Sequence, residues 1–119
     1  MGGNQSQGYT YSGSNTIDNV ARYSSNSSSR TWDVGSLASN ELGTFDMSGN
    51  VREWVWDIHG AYPSGSQNNP TGASSGSYRV IRGGGWSNSA NYCTVSNRSN
   101  GNATSGNYNL GFRLCRIIP

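Results

Sequence analysis

The sequence contains few charged and few aliphatic residues. Only 12% of its 119 residues are charged, it has no lysine, and Leu, Ile, Val and Phe together occupy 17 positions. That share is below the ~20% at which intrinsic disorder becomes a serious alternative. The net charge is only +2, however, and aromatic residues make up 11% of the chain. Low self-repulsion and large aromatic rings favour a folded domain whose core is built on Trp and Tyr.

Several classes of protein are excluded by residues that are scarce. Two cysteines are too few for a disulfide framework, and a single histidine, His59, cannot by itself form a zinc or iron site. No apolar run approaches the ~20 residues of a membrane helix, and we identify no signal peptide, which leaves the localisation open. The eight arginines are scattered, which argues against a nucleic-acid-binding stripe. At this length we expect one domain, residues 1–119.

Hydrophobic patterning predicts a few short strands separated by long polar loops. Residues 17–23 suit at most two helical turns. Segments 60–77 and 99–109 are rich in Gly, Ser and Asn and are predicted loops. Tryptophans near such loops favour ordered, functional loops over disordered ones. The candidate strands are 51–57, 78–82, 93–98 and 111–118.

Three stretches carry recognisable motifs. They read NELGTFDMSGNVREW at 40–54, SYRVIRGGGW at 77–86 after NPTG at 69–72, and NLGFRL at 109–114. In order and spacing they resemble the formylglycine-generating enzyme, or sulfatase-modifying factor, family, which usually has Trp at the position of Arg52. The resemblance implies an α+β, C-type lectin-like fold with a small twisted antiparallel sheet, one short helix and long ordered loops.

The resemblance also implies that the family's N-terminal part is missing, because this sequence begins at Met1 where members have further strands and helices. A sheet without its first strand has an open edge. We therefore expect self-association, or a partner chain, to cover that edge. If the chain is instead a fragment of a longer domain, its function belongs to the parent.

The resemblance implies an active site with a pair of cysteines five residues apart. In this sequence the two matching positions are Asn88 and Cys93. Two thiolates bind Cu(I) because metal and ligand are both soft, and an Asn amide replaces neither. Copper is therefore not expected, and Cys93 remains only as a remnant, with pairing to Cys115 undecided by spacing. The alternative function is a shortened enzyme that oxidises a Cys in a target protein.

Four residues match a calcium site of the family, in which carboxylate or amide side chains and main-chain carbonyls form an oxygen cage suited to hard Ca²⁺. The alternative is that the acidic residue at 46 caps its own turn and the one at 53 pairs with an arginine. Arginines 82, 98 and 113 are expected to stack on rings and bind carbonyls. The implied calcium ligands are Asp46, Gly49, Val51 and Glu53.

Residues 86–115 contain two kinds of position. One set holds Trp, Cys, Val, Arg, Leu, Gly and Phe, and the other mainly Asn, Ser, Tyr, Thr and Gly. Asn codons begin with two adenines, and changing those adenines alone yields Ser, Thr, Tyr, Gly or Asp. The pattern resembles the variable region of bacterial and phage proteins diversified by diversity-generating retroelements, which use this same fold. The alternative is that the family's ordinary loops are already rich in Asn.

The sequence thus predicts a non-catalytic module with a variable ligand-binding surface. Tyr supplies rigid contact area, and Ser, Asn and Gly supply adaptable hydrogen bonds, as in antibody loops. We expect a protein or cell-surface ligand. The predicted ligand-binding residues are Ser87, Asn88, Ser89, Asn91, Tyr92, Thr94, Asn97, Ser99, Asn107 and Tyr108.

Overall fold

The structure is a computed structural model that describes residues 3–115, and its strands form one four-stranded sheet in the order β3–β2–β1–β4. β1 (Arg52–Ile58) pairs antiparallel with β2 (Tyr78–Arg82). β3 (Ser99–Asn102) pairs antiparallel with the other side of β2. β4 (Leu110–Gly111) runs parallel to the start of β1. The sheet is therefore mixed, whereas the sequence predicted an antiparallel one.

β1 and β2 confirm the strands predicted at 51–57 and 78–82, but the later predictions were wrong in position. In the stretch 93–98, Cys93 ends a 3₁₀ turn, Ala90–Cys93, and residues 94–98 are irregular. β4 overlaps the predicted strand 111–118 only at Gly111, and residues 116–118 lie outside the described part. The predicted helix is a single 3₁₀ turn, Ile17–Asn19. In the described residues no helix is long and apolar enough to cross a membrane.

β3 lies where the sequence predicted a loop, because its residues have little intrinsic strand preference. Gly101 pairs with Arg79 across the sheet. A Cβ at Gly101 would lie 2.9 Å from Cδ1 of Ile81 and 3.0 Å from Cη2 of Trp54. The missing side chain lets these two larger side chains pack against the strand, so tertiary packing overrides local propensity.

Polar residues are about as numerous as apolar ones in the buried core. Trp56 is 83% exposed and the other tryptophans are half-buried, so the prediction of a core of Trp and Tyr was wrong. Buried hydroxyls connect the loops instead: Oγ of Ser48 donates to the carbonyl of Cys93 (2.8 Å) and accepts from the N–H of Ser12 (3.1 Å). Apart from glycines, the buried residues are Val20, Ala21, Val80, Ile81 and Cys93 on the apolar side, and Ser12, Ser27, Asn40, Ser48, Asn50 and Asn109 on the polar side.

Three consecutive glycines follow β2 and bring distant segments together. Gly84 has φ +65°, and a Cβ there would lie 2.6 Å from Sγ of Cys93. A Cβ at Gly85 would lie 3.2 Å from the backbone nitrogen of Arg52 and 3.3 Å from the carbonyl oxygen of Asn50. Glycine permits both the positive φ and the close approach. The turn therefore starts the following segment directly against β1.

Candidate functional site

Segment 86–109, which carries the predicted ligand-binding residues, is fixed at both ends to the start of β1. The N–H of Trp86 donates to the carbonyl of Asn50 (2.7 Å), and the N–H of Arg52 donates to the carbonyl of Asn109 (2.9 Å). The Asn109 side chain accepts from Nη2 of Arg52 (2.7 Å) and donates to Oγ of Ser87 (2.8 Å). Asn109 is buried, so its amide is shielded from competing water.

Two cavities on this segment share Arg52 and Ile81 in their walls. The first has a volume of about 50 Å³ and the second about 210 Å³. Between them they bring together five of the ten predicted ligand-binding residues. The first is lined by Asn88, Tyr92, Asn97 and Ser99, and the second by Asn107.

The other five predicted residues do not line these cavities. Ser87 is bonded to Asn109, and the exposed ring of Tyr108 lies 5.6 Å from that of Trp86. The remaining three belong to the 3₁₀ turn Ala90–Cys93 or border it, and Oγ1 of Thr94 donates to the carbonyl of Asn91 (3.3 Å). They are Ser89, Asn91 and Thr94.

Arg52 is a candidate that sequence reasoning missed. It lines both cavities, and its Nη2 is held in place by Asn109. Its Nε is buried with no hydrogen-bond partner among the described residues. The available signal was the motif itself, because a cation stands where the family pattern has Trp.

Three of the four implied calcium ligands, Asp46, Val51 and Glu53, line one cavity of about 590 Å³, whereas Gly49 lies against Arg22. Their oxygens suit Ca²⁺. Arg113 already faces them: its Nε and Nη2 donate to the two carboxylate oxygens of Glu53 (3.1 and 2.9 Å). This hydrogen bond raises the pKa of Arg113.

Calcium would have to displace Arg113 from Glu53 or share that carboxylate with it. Asp46 does not cap its own turn by the bonds described, since its Oδ2 accepts from the N–H of Gly35 (2.8 Å). The donor set thus fits a hard cation in chemistry, and calcium binding stays a prediction.

The two positions that match the family's cysteine pair are both used by the fold. The Asn88 side chain accepts from the N–H of Gly85 (3.0 Å). Cys93 is fully buried, and burial raises the pKa of its thiol to about 11. A thiol with this pKa is protonated at neutral pH and is a poor metal ligand or nucleophile. Cys93 and Cys115 are both free thiols.

The arginines at motif positions hold loops, as predicted. Nη1 of Arg82 donates to the carbonyls of Val95 and Asn97, both at 3.1 Å. The guanidinium of Arg98 lies 4.0 Å from the centre of the Tyr62 ring. Segment 86–109 is therefore supported along its length as well as at its ends.

Comparison with known proteins agrees with this architecture. A family model described as a sulfatase-modifying factor enzyme 1-like domain matches residues 1–118. Chaperone protein LppX of Paenibacillus barcinonensis is 36% identical over 132 residues, which cover 97% of this chain and 44% of the relative. This chain therefore spans less than half of that curated relative.

Two solved structures share the C-type lectin-like fold of the formylglycine-generating enzyme type. Treponema denticola variable protein 1 superposes with a TM-score of 0.82 at 40% identity, covering 87% of this chain and 39% of that protein. PvdO from Pseudomonas aeruginosa superposes with a TM-score of 0.70 at 27% identity, covering 90% of this chain and 41% of that protein.

Proposed function

The chain belongs to the sulfatase-modifying factor enzyme 1-like family, and we propose that it is a non-catalytic member that binds a ligand through a variable surface on segment 86–109. One observation carries this proposal: none of the ten predicted ligand-binding residues is buried, although they are interspersed with the buried Cys93 and precede the buried Asn109. Most of these side chains can therefore change without altering the core. The exceptions are Asn88 and Ser87, whose side chains bond Gly85 and Asn109.

The similarity to Treponema denticola variable protein 1 supports the same proposal, since the name of that protein states that it varies. Ligand binding also agrees with the position of five predicted residues around two adjoining cavities. Arg52 lines both cavities, and Asn109 holds its side chain in place. It would give the variable surface one charged group that does not change.

The charge distribution supports a ligand that carries acidic groups. All six acidic residues occur at or before Asp57, and residues 58–119 contain five arginines and no acid. Arg52 and Arg82 both line the smaller cavity. Complementary charge on a protein or cell-surface ligand would speed association and select the partner.

The enzyme alternative is less well supported. Its reaction depends on reactive thiols, and the thiol of Cys93 is buried with a pKa raised to about 11. Copper binding together with oxygen-dependent conversion of a Cys-containing peptide would favour the enzyme over the binding module.

Natural DNA variation tests the proposed function. We expect coding sequences from independent isolates to differ at adenines in the codons of the ten predicted residues. The codons for Gly84, Trp86 and Cys93 should be constant, and an adenine-rich imperfect repeat and a reverse transcriptase gene should lie nearby. Substitutions spread evenly over the chain would contradict the proposal.

We also propose that a strand from another polypeptide, most simply a second copy, covers the open side of β1. In the described residues β4 pairs only with Arg52 and Glu53 on that side, and Gly72 only with Ile58. The stretch between them includes the 83% exposed Trp56. Unpaired strand edges are templates for strand addition.

Multi-angle light scattering tests this edge. We expect a dimer at high micromolar concentration that dissociates in Trp56→Lys, with Val34→Lys as the control at another exposed apolar residue. A monomer with a sharp cooperative melting transition would contradict it.

A further inference from the structure

A fourth cavity, of about 790 Å³, shares only Arg82 with the two cavities of segment 86–109. Its volume is within the range of small-molecule pockets, ~300–1,000 Å³. Val55 of β1 and Val80 of β2 form part of its wall, and loop residues between Ala61 and Ala73 form much of the rest. The proposed variable surface does not use this space.

The loop wall is attached at both ends. The N–H of Ala73 donates to the carbonyl of Ile58 (3.2 Å), and a parallel bridge joins Ile58 to Gly72. Gly72 has φ +84°, and a Cβ there would lie 2.8 Å from Cβ of Asp57. At Gly60 a Cβ would lie 2.7 Å from Cβ of Ala73. The loop wall of the cavity is therefore fixed to the end of β1 by backbone bonds and close glycine contacts.

Arg98 and Tyr62 form a cationic wall in this cavity. The guanidinium lies over the ring at 4.0 Å, and Nη2 donates to the carbonyl of Gly60. Nε and Nη1 of Arg98 donate to no described residue, whereas Nη1 of Arg82 is committed to two backbone carbonyls. A guanidinium held flat with free N–H donors is suited to bind a carboxylate.

Asp57 supplies the opposite charge in the same cavity. Its carboxylate is half-buried and has no hydrogen-bond partner in the described part of the chain. It forms no ion pair with Arg82 or Arg98; among residues 3–115 the ion pair is that of Arg113 with Glu53. Two opposite charges thus line one cavity without pairing with each other, and a ligand bearing both complementary charges would gain from each.

We propose that this cavity binds a small zwitterion of amino-acid or short-peptide size. Its carboxylate pairs with Arg98 and its ammonium group with Asp57. Val55 and Pro63 contact the aliphatic part, and the amides of Asn68 and Asn69 bind peptide groups. Arg98 lies within segment 86–109 but is not one of the ten predicted ligand-binding residues, so the inference does not require the proposed function.

Alanyl-alanine tests both charges, and its two blocked forms separate them. The N-acetylated dipeptide keeps only the carboxylate, and the C-terminal amide keeps only the ammonium group. By isothermal titration calorimetry on the whole chain, we expect each blocked form to bind at least tenfold more weakly than the free dipeptide. Arg98→Met should abolish the preference for a free carboxylate, and Asp57→Asn the preference for a free ammonium group.

Arg30→Met is the matched control, because Arg30 also lies over an aromatic ring, 4.3 Å from Trp32, but does not line this cavity. It should leave all three affinities within twofold. Arg98→Met also removes the bond from Arg98 to the carbonyl of Gly60, so it could weaken binding by moving the loop. Asp57→Asn leaves that bond intact and therefore tests the charge alone.

Three results would overturn the inference: no binding of the free dipeptide, equal binding of all three forms, or an unchanged preference in Asp57→Asn. Tyr92→Ala changes the variable surface and should leave dipeptide affinity unchanged. A failure of dipeptide binding is therefore distinguishable from a failure of the variable surface to bind its own ligand.

Discussion

At the scale of single residues, buried asparagine side chains join segments that no strand joins. Oδ1 of Asn50 accepts from the N–H of Trp32 (3.1 Å), and its Nδ2 donates to the carbonyl of Trp32 (3.2 Å). Oδ1 of Asn40 accepts from the N–H of Thr44 in its own turn (3.0 Å), and its Nδ2 donates to Oγ of Ser12 (3.1 Å), 28 residues away. An amide offers a donor and an acceptor together, so it can dock a loop as a neighbouring strand would.

Asn50→Ala should lower the free energy of unfolding by about 3 kcal/mol, because it leaves the Trp32 backbone unpaired. Asn50 also has φ +61°, which Ala tolerates less well than Asn. Urea unfolding measures the change. Asn68→Ala, at an exposed loop position, is the control and should change stability by less than about 0.5 kcal/mol. Equal effects of the two substitutions would contradict the role of Asn50.

Cys93 should make stability depend on alkaline pH. Burial raises its pKa from 9.0 to about 11, so the folded state holds the proton where the unfolded state releases it. The contribution is fully present below pH 9 and is lost as pH rises towards 11. Urea unfolding should show the stability advantage of wild type over Cys93→Ala shrinking between pH 8 and about pH 10.5. The same comparison with Cys115→Ala, an exposed thiol, should show no such trend.

At the scale of elements, the glycine turn after β2 sets the position of everything that follows. Gly84→Ala introduces a Cβ within 2.6 Å of Sγ of Cys93 at φ +65°. We expect a loss of about 2 kcal/mol or more, seen as a lower melting temperature. Gly106→Ala is the control, because nothing lies within 4 Å of its Cβ position. A Gly84→Ala protein as stable as the control would show that the turn can relax.

The candidate calcium site lies at the junction of β1 with the segment before it. We expect millimolar CaCl₂ to raise the melting temperature and EGTA to reverse the rise, because the ion would gather Asp46 and Glu53. Arg113→Met should strengthen the calcium response by freeing Glu53, and Glu53→Gln should abolish it. No shift in any of the three proteins would count against the site.

The sequence predicts the strands whose own residues favour a strand, and it misses those that form only through tertiary packing. Trp54 and Ile81 face each other in strands that their β-branched and aromatic neighbours predict. Gly101 gives no such signal, because its strand exists only through packing against larger residues. At the site, the composition of segment 86–109 is enough to predict exposed Asn and Tyr residues. The position of Arg52 is not predictable in this way, because it depends on the buried amide of Asn109, which is distant in sequence.

At the scale of the whole molecule, charge is divided along the chain. Residues 1–57 contain all six acids and three arginines, and residues 58–119 contain five arginines. Polyglutamate should therefore bind, and raising NaCl from 50 to 300 mM should weaken binding at least tenfold because the Debye length shortens. Arg52→Gln should weaken it more than Arg79→Gln, a change of equal charge outside both cavities. Equal affinity for polylysine would contradict this expectation.

The backbones of Asn50 and Arg52 bond the first and last residues of segment 86–109. The two ends of this long segment therefore meet at residues 50–52, where β1 begins. The entropic cost of closing such a loop grows only with the logarithm of its length, about 0.6 kcal/mol per doubling. Insertions between β3 (Ser99–Asn102) and β4 (Leu110–Gly111) should therefore lower the free energy of unfolding only slightly. The domain can then accept new sequences between these two strands, while Cys93 and β3 keep the rest of the segment on the scaffold.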